Sequence, residues 1–535
     1  MCQVSSEKIA EMGAGEIAAA IREGEATAVG VVEALIARIE ALNDRLNAVI
    51  VPLFESARRE AREADSRRAG GASEELPPLF GVPVTIKDQF FVSGTPVSCG
   101  LAHRSDEVFD QQGTLVTRLR ENGAIILGKT NVPQLLISHE CRHARYGPAK
   151  NPFDEGRTPG GSSGGEAAII AAGGSPLGLG GDMGGSVRIP SHFCGVSGLK
   201  PTGGRLPNDD SPFFEGHVGD LVGFEGIIVQ PGPLARRVDD LKLAMDCFAG
   251  EPLPQRSLTP PVPWRTGPIS EVDGIRVGTY VDDGYFTPCP AIRRVVARAA
   301  LALEENGNPV AGFSVPDPAY AARLYVSLLV SDGGAWIREA LDGERPIGDV
   351  EAILRVGGAP LWLRRMLAGL MRATGQEYAA RALSASGRCS AREYWRLTAE
   401  RTRYRMRFVD EMDRAGVDVL VCPPHPLPAF RLDGNRNGVE TATALYAALF
   451  NLVGLPAGVV AAGRVGAEEE SDRPASRDRV IRDAIAMERG SAGMPVGVQV
   501  VGRHWREDQV LAVMRYLEER FAAEEDYPVG AAPPP

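Results

Sequence analysis

The chain has 535 residues, 44% of them hydrophobic and 24% charged, with 62 Gly, 40 Pro and only 6% aromatics. That mixture excludes disordered, collagen-like and coiled-coil chains, and allows three or four domains or one large α/β enzyme core with insertions. The net charge of −11, from 58 basic and 69 acidic residues, lacks the basic footprint of a nucleic-acid binder, so no nucleic-acid partner is expected.

The eight cysteines, Cys2, Cys99, Cys141, Cys194, Cys247, Cys289, Cys389 and Cys422, contain no C-x-x-C pair. They form neither a zinc knuckle nor a disulfide framework and fit a reducing compartment. The N-terminal SEKIAEMGAGE carries acids and no apolar h-region, which argues against a secretory signal and for the cytoplasm.

From Glu7 to Arg68 the apolar spacing predicts helix, ending in the polar loop GGASEELPP. Val82, Val84 and Ile86 then alternate as in a half-buried strand, and helical TLVTRLRENG followed by AIILGKT gives the alternation of an α/β fold. Between Arg157 and Arg205 glycines pair at 160/161, 164/165, 173/174, 180/181 and 184/185, a density that brings backbone close to something else. A Pro-rich connector follows at 251–268, then a strand at IRVGTYV and a helix at ARAALALEENG.

Thr441 to Gly463 carries no charge and is long enough to span a bilayer, but Asn451, Gly454, Pro456 and Gly458 interrupt it. It reads as a buried helix to about Leu452, a GLP turn and a strand AGVVAAG. VGAEEESDRPASRDR is a charged, exposed insertion, MPVGVQVVG a last core strand and REDQVLAVMRYLEERF a closing helix. The chain accordingly divides into an N-terminal helical segment 1–75, a core 76–250, a variable segment 251–440 on the substrate side, and the returning core 441–525.

Three motifs could carry chemistry. GGSSGG at 160–165 fits G-x-S-x-G twice, yet no downstream His has a recognisable triad context, and Glu166 stands where a phosphate loop needs Lys. His139-Glu140-Cys141-Arg142-His143 matches H-E-x-x-H, the zinc-hydrolase pattern, but needs a helix that Tyr146-Gly147-Pro148 cuts short; the bland reading is two histidines in a surface loop. In Asp182-Met183-Gly184-Gly185-Ser186-Val187-Arg188 a serine follows two glycines, so backbone N–H groups can converge as in an oxyanion hole or close a tight turn; both readings stand at this point.

Lys87 in GVPVTIKD, Ser162 in GGSSGG and Ser186 in DMGGSVRIP together resemble the amidase signature family. GKTNVPQ, the long block from NPFDEGRTPGG to LKPTGGRLP, FNLVGLPAGVV and GMPVGVQVVGRHWRED resemble family segments in family order, from about Glu7 to Phe521. The wording leans toward the fatty acid amide hydrolase branch. Two departures exist: the N-terminal membrane helix of animal members is missing, and Leu136 stands where that branch often has Met.

The resemblance implies an amidase signature fold, a large mixed β-sheet core flanked by helices on both faces. It implies hydrolysis of a small-molecule carboxylic acid amide, and also of esters, through an acyl-enzyme, with Lys87 as base, Ser162 as bridge and Ser186 as nucleophile. Met183, Gly184, Gly185, Ser186 and Leu136 would form the oxyanion hole and substrate contacts, with Ser163, Asp182 and Arg188 in support. No metal or cofactor is required. Thr158 and Ser163 read as loop-forming hydrogen bonders, and Cys194 as a small buried residue.

Within the family the alternative branch is the glutaminase component of glutamyl-tRNA amidotransferase, whose work depends on partner proteins. A homodimer also stays open. Residues 361–372, LWLRRMLAGLMR, set large apolar side chains around three arginines, as in a helix lying at a membrane surface; an ordinary core helix is the competing reading. The first reading adds peripheral membrane contact and fatty acyl amides as substrates.

Overall fold

The computed structural model describes residues 4–70, 76–208, 226–227, 229–250, 259–432, 434, 438–528 and 530. Parts of the loop expected at 70–78 and of the connector at 251–268 lie outside these residues. Eleven strands form one sheet: β1 Val49–Pro52, β2 Pro83–Lys87, β3 Ile125–Thr130, β4 Leu177–Asp182, β5 Ser197–Lys200, β6 Gln230–Ala235, β7 Val277–Thr279, β8 Val310–Gly312, β9 Val419–Cys422, β10 Ala457–Arg464 and β11 Pro495–Gly502. Their order is β1-β3-β2-β4-β6-β5-β10-β11-β9-β7-β8. Pairing is parallel between β3, β2 and β4 and again between β9, β7 and β8, and antiparallel elsewhere, so the sheet is mixed and the α/β class expected from the sequence is correct.

The expected helical run from Glu7 to Arg68 is broken into four helices, Ser6–Glu11, Ala14–Glu23, Ala28–Leu46 and Phe54–Ala69, with β1 between the last two. Sequence pattern hides β1 because NAVIVP is a short apolar run flanked by strongly helical sequence, and its hydrogen-bonding partner, β3, is remote along the chain. β2 is fully buried rather than half-buried, an inner strand between β3 and β4 against which the helices Ala28–Leu46 and Gly164–Ala171 pack. The uncharged stretch resolves into the buried helix Leu445–Leu452 and β10, as its internal Asn, Gly and Pro residues predicted. Among the described residues no helix is long and apolar enough to cross a membrane.

Three parallel neighbours, β3, β2 and β4, end on one edge of the sheet. Lys87 is the last residue of β2 and Asp182 the last of β4, and chain that follows β3 leads to the glycine-serine loop and the helix Gly164–Ala171. The carboxyl ends of parallel strands are where α/β sheets leave a crevice, and here the sequence's polar, glycine-rich segments converge on it.

Candidate active site

Lys87 is almost completely buried, at 1% exposure, although a lysine normally keeps its ammonium in water. Its Nζ donates to the Gly181 carbonyl at 3.1 Å and is hydrogen-bonded to Ser162 Oγ at 2.8 Å. Burial pulls its pKa down from 10.5 to about 7, against the pull of Asp182, so a neutral amine is available near neutral pH.

Ser162 and Ser163 precede the helix Gly164–Ala171, and the peptide between Gly161 and Ser162 is cis. A side chain at Gly161 would lie 2.2 Å from the Ser138 carbonyl oxygen, which accounts for that glycine. The Ser163 N–H donates to the Ser186 carbonyl at 3.1 Å, tying this loop to the loop after β4, while its hydroxyl reaches the Gly181 carbonyl at 3.4 Å. Thr158 acts within the loop, its Oγ1 accepting from the Gly160 N–H at 3.1 Å.

Asp182 organises the second loop. Its Oδ1 accepts from the Gly185 N–H at 2.8 Å and its Oδ2 from the Val187 N–H at 3.1 Å, and Arg188 engages both oxygens at 2.9 Å. Burial alone would push this carboxyl up, but the Arg188 guanidinium and the backbone donors hold it well below the usual carboxylate range. Gly185 has φ of +115°, a conformation that an L side chain rarely adopts. Arg188, fully buried, also donates to the Ala447 carbonyl, Gln499 Oε1 and Asn451 Oδ1, and Asn451 Nδ2 donates to the Asp182 carbonyl.

Arg188→Met would leave Asp182 buried without its cation, and a loss of about 3–5 kcal/mol is expected, read as a fall in the denaturant midpoint. An unchanged midpoint would contradict this role.

Exposure is graded across the site. Lys87, Ser162, Ser163, Asp182, Gly185 and Arg188 are buried, while Met183, Gly184 and Ser186 remain partly exposed. The Gly185 N–H, expected among the oxyanion donors, is already taken by Asp182, because the carboxylate is what shapes the loop. Among the described residues none accepts a hydrogen bond from the N–H groups of Met183, Gly184 or Ser186. Leu136 closes a one-turn 3₁₀ helix, Gln134–Leu136, in which Leu135 and Leu136 both have positive φ (55° and 59°), and the Ser138 carbonyl two residues on packs against Gly161.

The Amidase family model matches residues 30–511. The chain belongs to the amidase signature family. It is 34% identical over 456 residues to fatty-acid amide hydrolase 1 of Sus scrofa, covering 83% of this chain and 76% of that protein. It is 32% identical over 527 residues to the A component of the glutamyl-tRNA(Gln) amidotransferase of Deinococcus radiodurans, covering 96% and 98%. A solved fatty acid amide hydrolase shares the fold at a TM-score of 0.82 and 23% identity, covering 97% of this chain and 86% of that one. The protein is thus an amidase, a hydrolase of small-molecule amides.

In this amidase the H-E-x-x-H segment is not helical. Arg142 and His143 form a two-residue strand paired with Gly147–Pro148, so the two histidines do not share a helix face. His143 is buried, not at the surface: its ring is hydrogen-bonded to Ser98 Oγ at 2.9 Å and its Nδ1 accepts from the Arg145 N–H at 2.9 Å. Ser98 in turn is bonded to Asp88, which pairs with buried Lys129 at 3.0 Å. His139 is pulled below its ordinary value by burial.

Sequence reasoning misses three buried residues of the amidase site. Asn451 and Gln499 complete the Arg188 network; Gln499 is the single polar side chain of β11 and Asn451 the single amide of its largely apolar helix, which is a usable signal. Glu166 reads in sequence as a group that would repel phosphate, or as a third ligand to a metal held by His139 and His143. It lies buried, accepting from Thr85 Oγ1 at 2.7 Å and Thr130 Oγ1 at 2.8 Å, and burial raises its pKa to about 8.

Proposed function

We propose that this amidase cleaves its substrate through Lys87, Ser162 and Ser186, forming an acyl-enzyme on Ser186. The observation that carries the proposal is the buried Lys87 Nζ at 2.8 Å from Ser162 Oγ, in a loop bonded to the backbone of Ser186. An amide carbonyl is a poor electrophile, so the Ser186 hydroxyl must lose its proton as it attacks. Ser162 takes that proton while passing its own to neutral Lys87, since a hydroxyl can accept and donate at once. The relay then runs backwards to protonate the departing amine, and water hydrolyses the acyl-enzyme. The oxyanion forms beside the N–H groups of Met183, Gly184 and Ser186. In this division of labour residues 76–250 supply the catalytic groups and 251–440 the substrate side, while the sheet itself also draws β1 from the mainly helical 1–75, β7, β8 and β9 from 251–440, and β10 and β11 from 441–525.

For the substrate, the reading favoured is an acyl amide of medium or long chain, supported by the fatty-acid amide hydrolase relatives and by the helix Leu361–Ala373. Trp362, Met366 and Leu370 are 67%, 58% and 62% exposed and recur every four residues, one apolar stripe along the helix. Arg365 and Arg372 are exposed beside it, whereas Arg364, expected to reach outward, is buried and donates its Nε–H to the Ala359 carbonyl. An exposed stripe of this kind suits peripheral contact with a membrane by a cytoplasmic enzyme.

Each buried CH₂ contributes about 0.8 kcal/mol, so kcat/KM is expected to rise about fourfold per CH₂ until the pocket is filled. An acyl-amide series run with Met366→Glu and Leu370→Glu, with and without anionic vesicles, measures this. A flat or falling profile would reject it. Preference for glutamine would instead favour the amidotransferase-component reading that the Deinococcus radiodurans match supports.

A further inference from the structure

Tyr325 lies on the helix Pro318–Leu329, which starts at Asp317, whose side chain caps the Tyr320 N–H, and at Pro318, whose ring favours the first helical turn. The helix packs against Leu445–Leu452 and turns Tyr325 inward, to 9% exposure. Its hydroxyl lies 2.4 Å from where a Cβ on Gly184 would stand. One single bond of about 1.5 Å separates that point from Gly184 Cα, so the hydroxyl is within about 4 Å of the backbone of the nucleophile loop.

Two other tyrosines of the same apolar cluster satisfy their hydroxyls on backbone carbonyls, Tyr404 on Pro316 at 2.7 Å and Tyr446 on Phe286 at 3.1 Å. Tyr325 makes no such bond: among the described residues none accepts from or donates to its hydroxyl. A phenol hydroxyl with no protein partner adds nothing to the fold that Phe would not supply, so its placement beside the loop calls for another reason. Burial also raises its pKa, so the hydroxyl keeps its proton and is a donor. It borders the strip of backbone, Met183 to Ser186, where the carbonyl oxygen of a bound amide gains charge.

We propose that the Tyr325 hydroxyl donates a hydrogen bond to that oxygen, as a side-chain member of the oxyanion hole contributed by the variable segment. The proposal rests on Ser186 being the nucleophile. It also assigns a role to Gly184: a methyl there would displace the phenol, so Gly184→Ala removes the space that the hydroxyl occupies.

The test compares wild type, Tyr325→Phe and Ser186→Ala on hexanoyl p-nitroanilide, with thermal melting measured on each. Tyr325→Phe is expected to melt at the wild-type temperature, because no internal bond is lost, and to lose on the order of 10–100-fold in kcat with KM nearly unchanged, since the bond strengthens as charge develops. With Ser186→Ala inactive, a Tyr325→Phe enzyme within twofold of wild type would overturn the proposal. So would a melting temperature lowered by several degrees, which would make the hydroxyl structural. An active Ser186→Ala enzyme would remove the nucleophile assignment itself and the proposal with it, an outcome read from a different variant.

Discussion

Replacing Ser186 with alanine is expected to lower kcat by about 10⁴ to 10⁶, because without the hydroxyl no acyl-enzyme forms and only the binding and polarisation of the carbonyl remain. The protein should fold normally. Ser186 is partly exposed, and its backbone carbonyl ties it to the Ser163 N–H, a bond that alanine keeps. Steady-state kinetics on a single amide, alongside a melting curve, measure both. Activity within tenfold of wild type would exclude Ser186 as nucleophile.

Lys87→Ala is expected to cost about 10² to 10⁴ in kcat/KM on amides and clearly less on activated esters, whose leaving groups depart without a proton. The difference between the two substrates isolates the second half of the relay. An unchanged ratio of amide to ester activity would contradict it. The sign of the pH dependence follows from the same lysine: the proposed relay uses the neutral amine and burial lowers its pKa to about 7, so wild-type kcat/KM should rise with pH and level off above that value. Lys87→Ala should flatten this limb.

Much of this site can be read in the sequence, for a physical reason. Lys87, Ser162, Asp182, Ser186 and Arg188 sit in short segments whose local chemistry is unusual: a lysine ending an apolar strand, serines between paired glycines, an acid and an arginine flanking a tight turn. Paired glycines signal close approach of backbone, and Gly161 against the Ser138 carbonyl shows what is approached.

What cannot be read depends on partners remote in sequence. β1 becomes a strand because β3 is beside it, and the Gly185 N–H is unavailable because the Asp182 carboxylate folds back onto it. By motif alone His143 is a metal ligand or a surface residue; the hairpin Arg142–Pro148 sets it against Ser98 instead. Arg364 and Tyr325 show the same limit from opposite sides. Periodicity gives a helix and a stripe, but which residue points at the active site is decided by how the helix docks.

The most direct measurement is peptide mapping by mass spectrometry after reaction with a fluorophosphonate, on wild type and on Ser186→Ala. A single covalent adduct on Ser186, missing from the alanine variant, is the expected result; an adduct on Ser162 or Ser163, or equal labelling of both proteins, would contradict the assignment of Ser186 as the nucleophile.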